Sequence, residues 1–256
     1  MIAYTDVGTG APVVFLHGFP HDRSIWAPQL AALAGQARCI APDLRGFGAS
    51  PAGPPYSVDQ YADDVAAVLE ALRVGPATIA GLSMGGYIAF AFWRRHRRLV
   101  RALLLVSTRP GSDTPEMIAR RRAVAELART SGVSAVADAR APEQVGRHTR
   151  QRNPALVDSV RRMMARTPTD GLLGAIDALI ARPDSTPTLP TIDVPTLIVA
   201  GGEDDIIAPA ESTRMHAAIG GSRLEVLADA GHLCNMERPA AFTHVTSEFL
   251  SLLPST

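Results

Sequence analysis

Six short apolar runs punctuate the chain: "VVFLHG" (Val13–Gly18), "ARCIAPD" (Ala37–Asp43), "ATIAGLS" (Ala77–Ser83), "RALLLVST" (Arg101–Thr108), "TLIVAGG" (Thr196–Gly202) and "RLEVLAD" (Arg223–Asp229). Each is continuous rather than alternating, and rich in Leu or β-branched residues. That pattern predicts strands buried on both faces, as in a parallel sheet. Helical periodicity fills the gaps. "SVDQYADDVAAVLEAL" (Ser57–Leu72) opens on a Ser cap with Gln three residues on, and "PAAFTHVTSEFLSLL" (Pro239–Leu253) lies near the end of the sequence. Such alternation predicts a doubly wound, mostly parallel α/β sheet with right-handed crossovers.

One region breaks the alternation. From about Gly111 to Pro190 the patterns "PEMIARRRAVAELART", "PALVDSVRRMMART" and "TDGLLGAIDALIAR" follow one another with no strand, before the Pro-rich connector "RPDSTPTLPTIDVP". The organisation expected is a sheet core from residues 1–110 and 191–256 and a helical cap insertion over 111–190. The Arg-rich helix faces read as solvated surface; the sharper reading is a clamp for a substrate carboxylate built on Arg161 and Arg162.

Composition narrows the function classes. With 46% hydrophobic residues, the 256-residue chain can bury a sizeable core. The formal net charge is +0, which argues against a nucleic-acid or membrane-surface partner, either of which would call for a basic excess. Every basic residue is Arg and none is Lys, which reads as compositional bias. Cys39 and Cys234 are too few for a disulfide framework, and a reducing compartment fits. "MIAYTDVGTG" has neither a basic n-region nor an apolar h-region, so a cytoplasmic protein is expected. No Cys/His cluster has metal-ligand spacing, and neither a metal nor an organic cofactor is expected.

The chemistry centres on "IAGLSMGGYIAF" (Ile79–Phe90), where Ser83 stands between Gly81 and Gly85 at a junction of strand and helix. A turn this tight strains the residue at its apex and crowds the residues two before and two after, which is what glycine relieves. The Ser83 hydroxyl is then held above the carboxyl edge of the sheet, with the Met84 amide pointing to the same place. A serine hydroxyl needs a base, and the base needs an orienting acid. Of seven histidines, only His232, in "ADAGHLCNMERP", follows a strand, with a Gly before it and a helix after it. "GGEDDIIAP" offers three acids past a strand, Glu203, Asp204 and Asp205, in the chain order Ser, acid, His. A second oxyanion donor is expected in the loop after "VVFLHG", at the Phe19 amide.

These residues resemble the α/β-hydrolase superfamily. "HGFP", "PDLRGFGAS", "GLSMGG", "GGEDDIIAP" and "AGHLCNMERP" match its motifs in order and cover the whole sheet domain; the cap is matched only loosely. "GLSMGGYIAF" and "GHLCNMERP" look most like small-cap esterases and 3-oxoadipate enol-lactonases. The chain starts almost at the second family strand, so the outer edge strand is expected to be missing. The family pattern G-x-x-D-x-x-x-P, started at Gly202, implies Asp205 as the acid, with Glu203 and Asp204 facing solvent or tying down the loop. "PDLRGFGAS" resembles a structural loop of the family rather than a catalytic one. Ser at the nucleophile position, with no aromatic residue in the cap, disfavours dehalogenase and epoxide-hydrolase chemistry.

The function expected is that of a serine hydrolase cleaving small carboxylic esters or lactones through an acyl-enzyme. Ser83 is the nucleophile, His232 the base and Asp205 the acid, with Phe19 and Met84 at the oxyanion. Trp26, Met163, Met164 and Leu233 are the pocket candidates, and Cys234 reads as a small core filler. Alternatives are enol-lactone hydrolysis, a cofactor-free perhydrolase or lyase on the same triad, and a non-catalytic ligand-binding module.

Overall fold

The computed structural model describes residues 2–254. Among them seven strands form one sheet: β1 (Tyr4–Val7), β2 (Pro12–Leu16), β3 (Arg38–Pro42), β4 (Ala77–Leu82), β5 (Val100–Val106), β6 (Thr196–Gly201) and β7 (Arg223–Leu227). Their order is β1-β3-β2-β4-β5-β6-β7. All neighbours are parallel except β1, which pairs antiparallel with β3, Tyr4 opposite Pro42. The six apolar runs supply the six parallel strands. β1 escaped the pattern because "YTDV" is half polar and its last two residues are exposed at the sheet edge.

The described residues also form ten α-helices: α1 (Ala27–Leu33), α2 (Val58–Ala71), α3 (Met84–His96), α4 (Pro115–Arg140), α5 (Arg147–Arg152), α6 (Pro154–Ala165), α7 (Thr169–Ala181), α8 (Pro209–Ala218), α9 (Cys234–Glu237) and α10 (Pro239–Ser251). The Ser57 side chain accepts from the Gln60 amide and starts α2, as the cap signal predicted. α3 is buried continuously from Met84 to Trp93, which its run of small and aromatic residues allows. Every residue of β4 and β6 is buried, as expected of central parallel strands. Each Leu or Val buried there contributes roughly 1.5–3 kcal/mol of apolar transfer free energy.

Between β5 and β6 the described chain is helical, from α4 to α7. α4 breaks at Gly132, whose φ of 81° lies in the left-handed region. No helix among the described residues is long and apolar enough to cross a membrane.

Candidate active site

β4 ends at Leu82 and α3 begins at Met84, so Ser83 is the whole connection. Its φ of 55° and ψ of −111° are strained for a residue with a side chain. The strain is over-determined by hydrogen bonds: the Ser83 amide donates to the Val106 carbonyl at 2.9 Å, and the Thr108 hydroxyl donates to the Ser83 carbonyl at 2.8 Å. The glycines do what the turn requires. A Cβ on Gly81 would lie 2.2 Å from the Gly85 carbonyl oxygen, and one on Gly86 would lie 2.3 Å from the Thr108 hydroxyl.

His232 follows β7 on the same edge and is buried. Its Nδ1–H donates to Asp204 Oδ2 at 2.8 Å, leaving Nε2 for the cavity that His232 and Ser83 both line. It is Asp204, and not the Asp205 expected as the acid, whose carboxylate meets the His232 ring. The Asp204 amide donates to the Gly201 carbonyl at 3.3 Å, so the chain turns as soon as β6 ends and sends the Asp204 side chain inward. Its Oδ1 accepts the amides of Ile206 and Ile207, both at 2.9 Å. Asp205 points outward with its side chain 77% exposed, 3.9 Å from Arg150. Glu203 does tie down a loop, accepting the His148 amide at 2.8 Å.

Phe19 and Met84 both line the cavity, and their amides donate to no group among the described residues. His17 shapes the first of these loops. Its Nδ1–H donates to the Gly18 carbonyl at 2.8 Å and its Nε2 accepts the Leu44 amide at 3.0 Å, so both ring nitrogens are used. His21 is buried with neither ring nitrogen paired among the described residues, and burial pushes it down to about 3.

The cavity has a volume of about 570 Å³. Of the four pocket candidates only Met164 lines it. Trp26 is wholly buried against Phe15 and Phe242, with ring centroids 5.2 and 5.9 Å away. Met163 and Leu233 belong to the same buried cluster. Apolar character alone could not separate these core positions from a ligand wall. The wall is instead formed by Tyr87, Met117, Val124, Val136, Ile176 and Leu179, beside several charged side chains. Arg161 and Arg162 are absent from that lining; Arg161 pairs with Asp138 and Asp158, and Arg162 donates to Ser159. Cys234 is buried and its thiol is pushed up to about 12 by that burial, as suits a core filler.

A sequence model of the α/β-hydrolase fold matches residues 11–239. The chain belongs to this family. 3-Oxoadipate enol-lactonase 2 of Acinetobacter baylyi is 31% identical over 241 residues, covering 91% of this chain and 85% of that protein. A thermophilic esterase from Thermogutta terrifontis, solved with malate bound, superposes with a TM-score of 0.95 at 39% identity, covering 98% of this chain and 93% of its own. The enol-lactonase from Burkholderia xenovorans superposes with a TM-score of 0.90 at 32% identity, covering 98% and 96%.

One side chain of this α/β-hydrolase that sequence reasoning passed over joins the cap to the histidine loop. Glu237 accepts the Gly146 amide at Oε2 and the Gly231 amide at Oε1, both at 2.8 Å. The Leu233 amide adds a bond to the Gln144 carbonyl at 3.0 Å. Burial pushes the Glu237 carboxyl above its usual range, against the pull of Thr149 and the two amides. Only a group with two acceptor oxygens serves both amides. Glu237→Gln should therefore turn an N–H toward one of them and cost about 1–3 kcal/mol of stability, read from urea unfolding. An unchanged midpoint and slope would contradict this role.

Proposed function

We propose that the protein is a serine hydrolase of small carboxylic esters or lactones. The observation that carries this reading is the meeting of Ser83, the His232–Asp204 pair and two amides with no partner among the described residues on one cavity. In this mechanism His232 Nε2 takes the Ser83 proton as Oγ attacks the substrate carbonyl. The Asp204 carboxylate holds the imidazole in the productive tautomer and stabilises the imidazolium. The Phe19 and Met84 amides stabilise the oxyanion. His232 then protonates the leaving alkoxide and activates the water that cleaves the acyl-enzyme. A lactone enters by the same attack, its leaving alkoxide staying on the acyl chain. Enol-lactonases among the similar proteins make lactones the natural companions to esters in any screen.

The cavity of about 570 Å³ is of the size of ordinary small-molecule sites, and its charged side chains leave little continuous apolar wall for a long chain. With p-nitrophenyl esters, acetyl to hexanoyl chains should be hydrolysed faster than lauroyl. Rapid mixing should give a nitrophenolate burst of about one per Ser83 wherever deacylation is slow. Preference for long chains, or activation at a lipid interface, would contradict the substrate class.

A further inference from the structure

The wall of the cavity carries more positive charge than its own carboxylates neutralise. Asp113, whose side chain is wholly buried, is shared by three guanidiniums. Arg109 donates to its Oδ1 at 2.6 Å, Arg182 approaches the same oxygen at 2.9 Å, and Arg121 pairs with Oδ2. Burial works to raise the Asp113 carboxyl, but Arg121 and Arg182 hold it down at about 2, so it is ionised at neutral pH. The four residues then sum to a charge of +2, three cations against one anion.

The other charged groups of the cavity do not cancel this surplus. Glu143 is taken by Arg140 at 3.0 Å, Asp205 stands exposed beside Arg150, and Arg120 adds a further cation to the lining. Arg182 is committed elsewhere: it donates to the Leu179 and Gly111 carbonyls and lies 4.2 Å from the Tyr87 ring centroid. Arg109 and Arg121, by contrast, line the cavity itself. Arg109 also follows Thr108, which holds the Ser83 carbonyl, so the cluster borders the nucleophile turn. Asp113 takes Arg121 through Nε and one terminal nitrogen, and Arg109 through one terminal nitrogen, so each guanidinium keeps further N–H donors, and charged donors on a cavity wall favour an anionic ligand.

We propose that Arg109 and Arg121 form a carboxylate subsite, and that the preferred substrates are small esters whose acyl chain ends in a second, ionised carboxylate. This substrate class rests on the reading of Ser83 as nucleophile. It moves the carboxylate clamp from Arg161 and Arg162 to the loop after β5 and the first turns of α4.

The test compares monomethyl esters of linear dicarboxylic acids, from succinate to pimelate, with neutral methyl esters of equal chain length, followed by pH-stat. At the best-fitting length kcat/KM should favour the acid by about tenfold or more, and added salt should shrink the ratio. Arg109→Gln and Arg121→Gln should each bring the ratio toward one. The ratio cancels any general loss of active protein. Arg161→Gln, outside the cavity, should leave it intact. Calorimetry with glutarate and adipate supplies a readout independent of turnover: wild type should bind one of them about tenfold more tightly than Arg121→Gln. A ratio at or below one, while neutral esters still turn over and Ser83 still reacts with a fluorophosphonate, overturns the subsite and leaves the hydrolase reading standing. If no ester turns over and Ser83 does not react, the hydrolase reading fails. Calorimetry then decides the subsite alone, and equal binding by wild type and Arg121→Gln overturns it.

Discussion

Asp204→Asn is expected to lower kcat by on the order of 10⁴-fold, whereas Asp205→Asn should leave it within about threefold of wild type. The asymmetry follows from the atoms. Asp204 uses both oxygens, Oδ1 for the Ile206 and Ile207 amides and Oδ2 for His232 Nδ1. Asparagine has one acceptor oxygen. If it stays with the two amides, the new NH₂ faces Nδ1, and the imidazole must place its proton on Nε2, where it can no longer take the Ser83 proton. If the amide turns over, the loop amides lose their acceptor and the turn loosens. Asp205 makes neither contact, and its side chain is 77% exposed. Measuring kcat/KM against pH for both variants and for Glu203→Gln separates the three acids. A crippled Asp205→Asn beside a near-normal Asp204→Asn would contradict the assignment.

That displacement by one residue shows where sequence stops being legible. Two adjacent aspartates in "GGEDDIIAP" satisfy nearly the same spacing, and the choice is made by where the chain turns after β6. What separates them appears only in the fold: Asp204 accepts the amides two and three residues on and so initiates the turn, while Asp205 does not. The place of Ser83 between strand and helix was readable because crowding on both sides of it demands glycine, a requirement written directly in "GLSMGG". The place of His232 on the loop after β7 was readable because a strand end and a helix start bracket it. β1 was not, since a short, half-polar edge strand lacks the apolar run of its neighbours. Trp26, Met163 and Leu233 could not be told from cavity residues, because a buried apolar side chain looks the same in sequence whether it meets a ligand or the core. The Arg109–Asp113–Arg121–Arg182 cluster joins residues up to 73 positions apart, from Arg109 to Arg182, and only the fold brings them together.

Ser83→Ala should lower kcat by at least roughly 10³-fold while the protein stays folded, because the members of such a triad act as one unit. Removing the hydroxyl leaves the backbone bonds to Val106 and Thr108 in place, so the turn has no reason to collapse. Thermal unfolding near the wild-type midpoint would show that the loss is chemical. Turnover within tenfold of wild type would mean another group attacks the carbonyl.

The most direct measurement of the central claim is the site of covalent reaction. Wild-type protein treated with a fluorophosphonate and digested should yield a single phosphonylated peptide, modified at Ser83, with labelling approaching one per chain as ester hydrolysis falls to zero. The Asp204→Asn variant should label far more slowly at the same residue. Full inactivation with the adduct on any other residue, or hydrolysis that survives complete labelling of Ser83, would contradict the account.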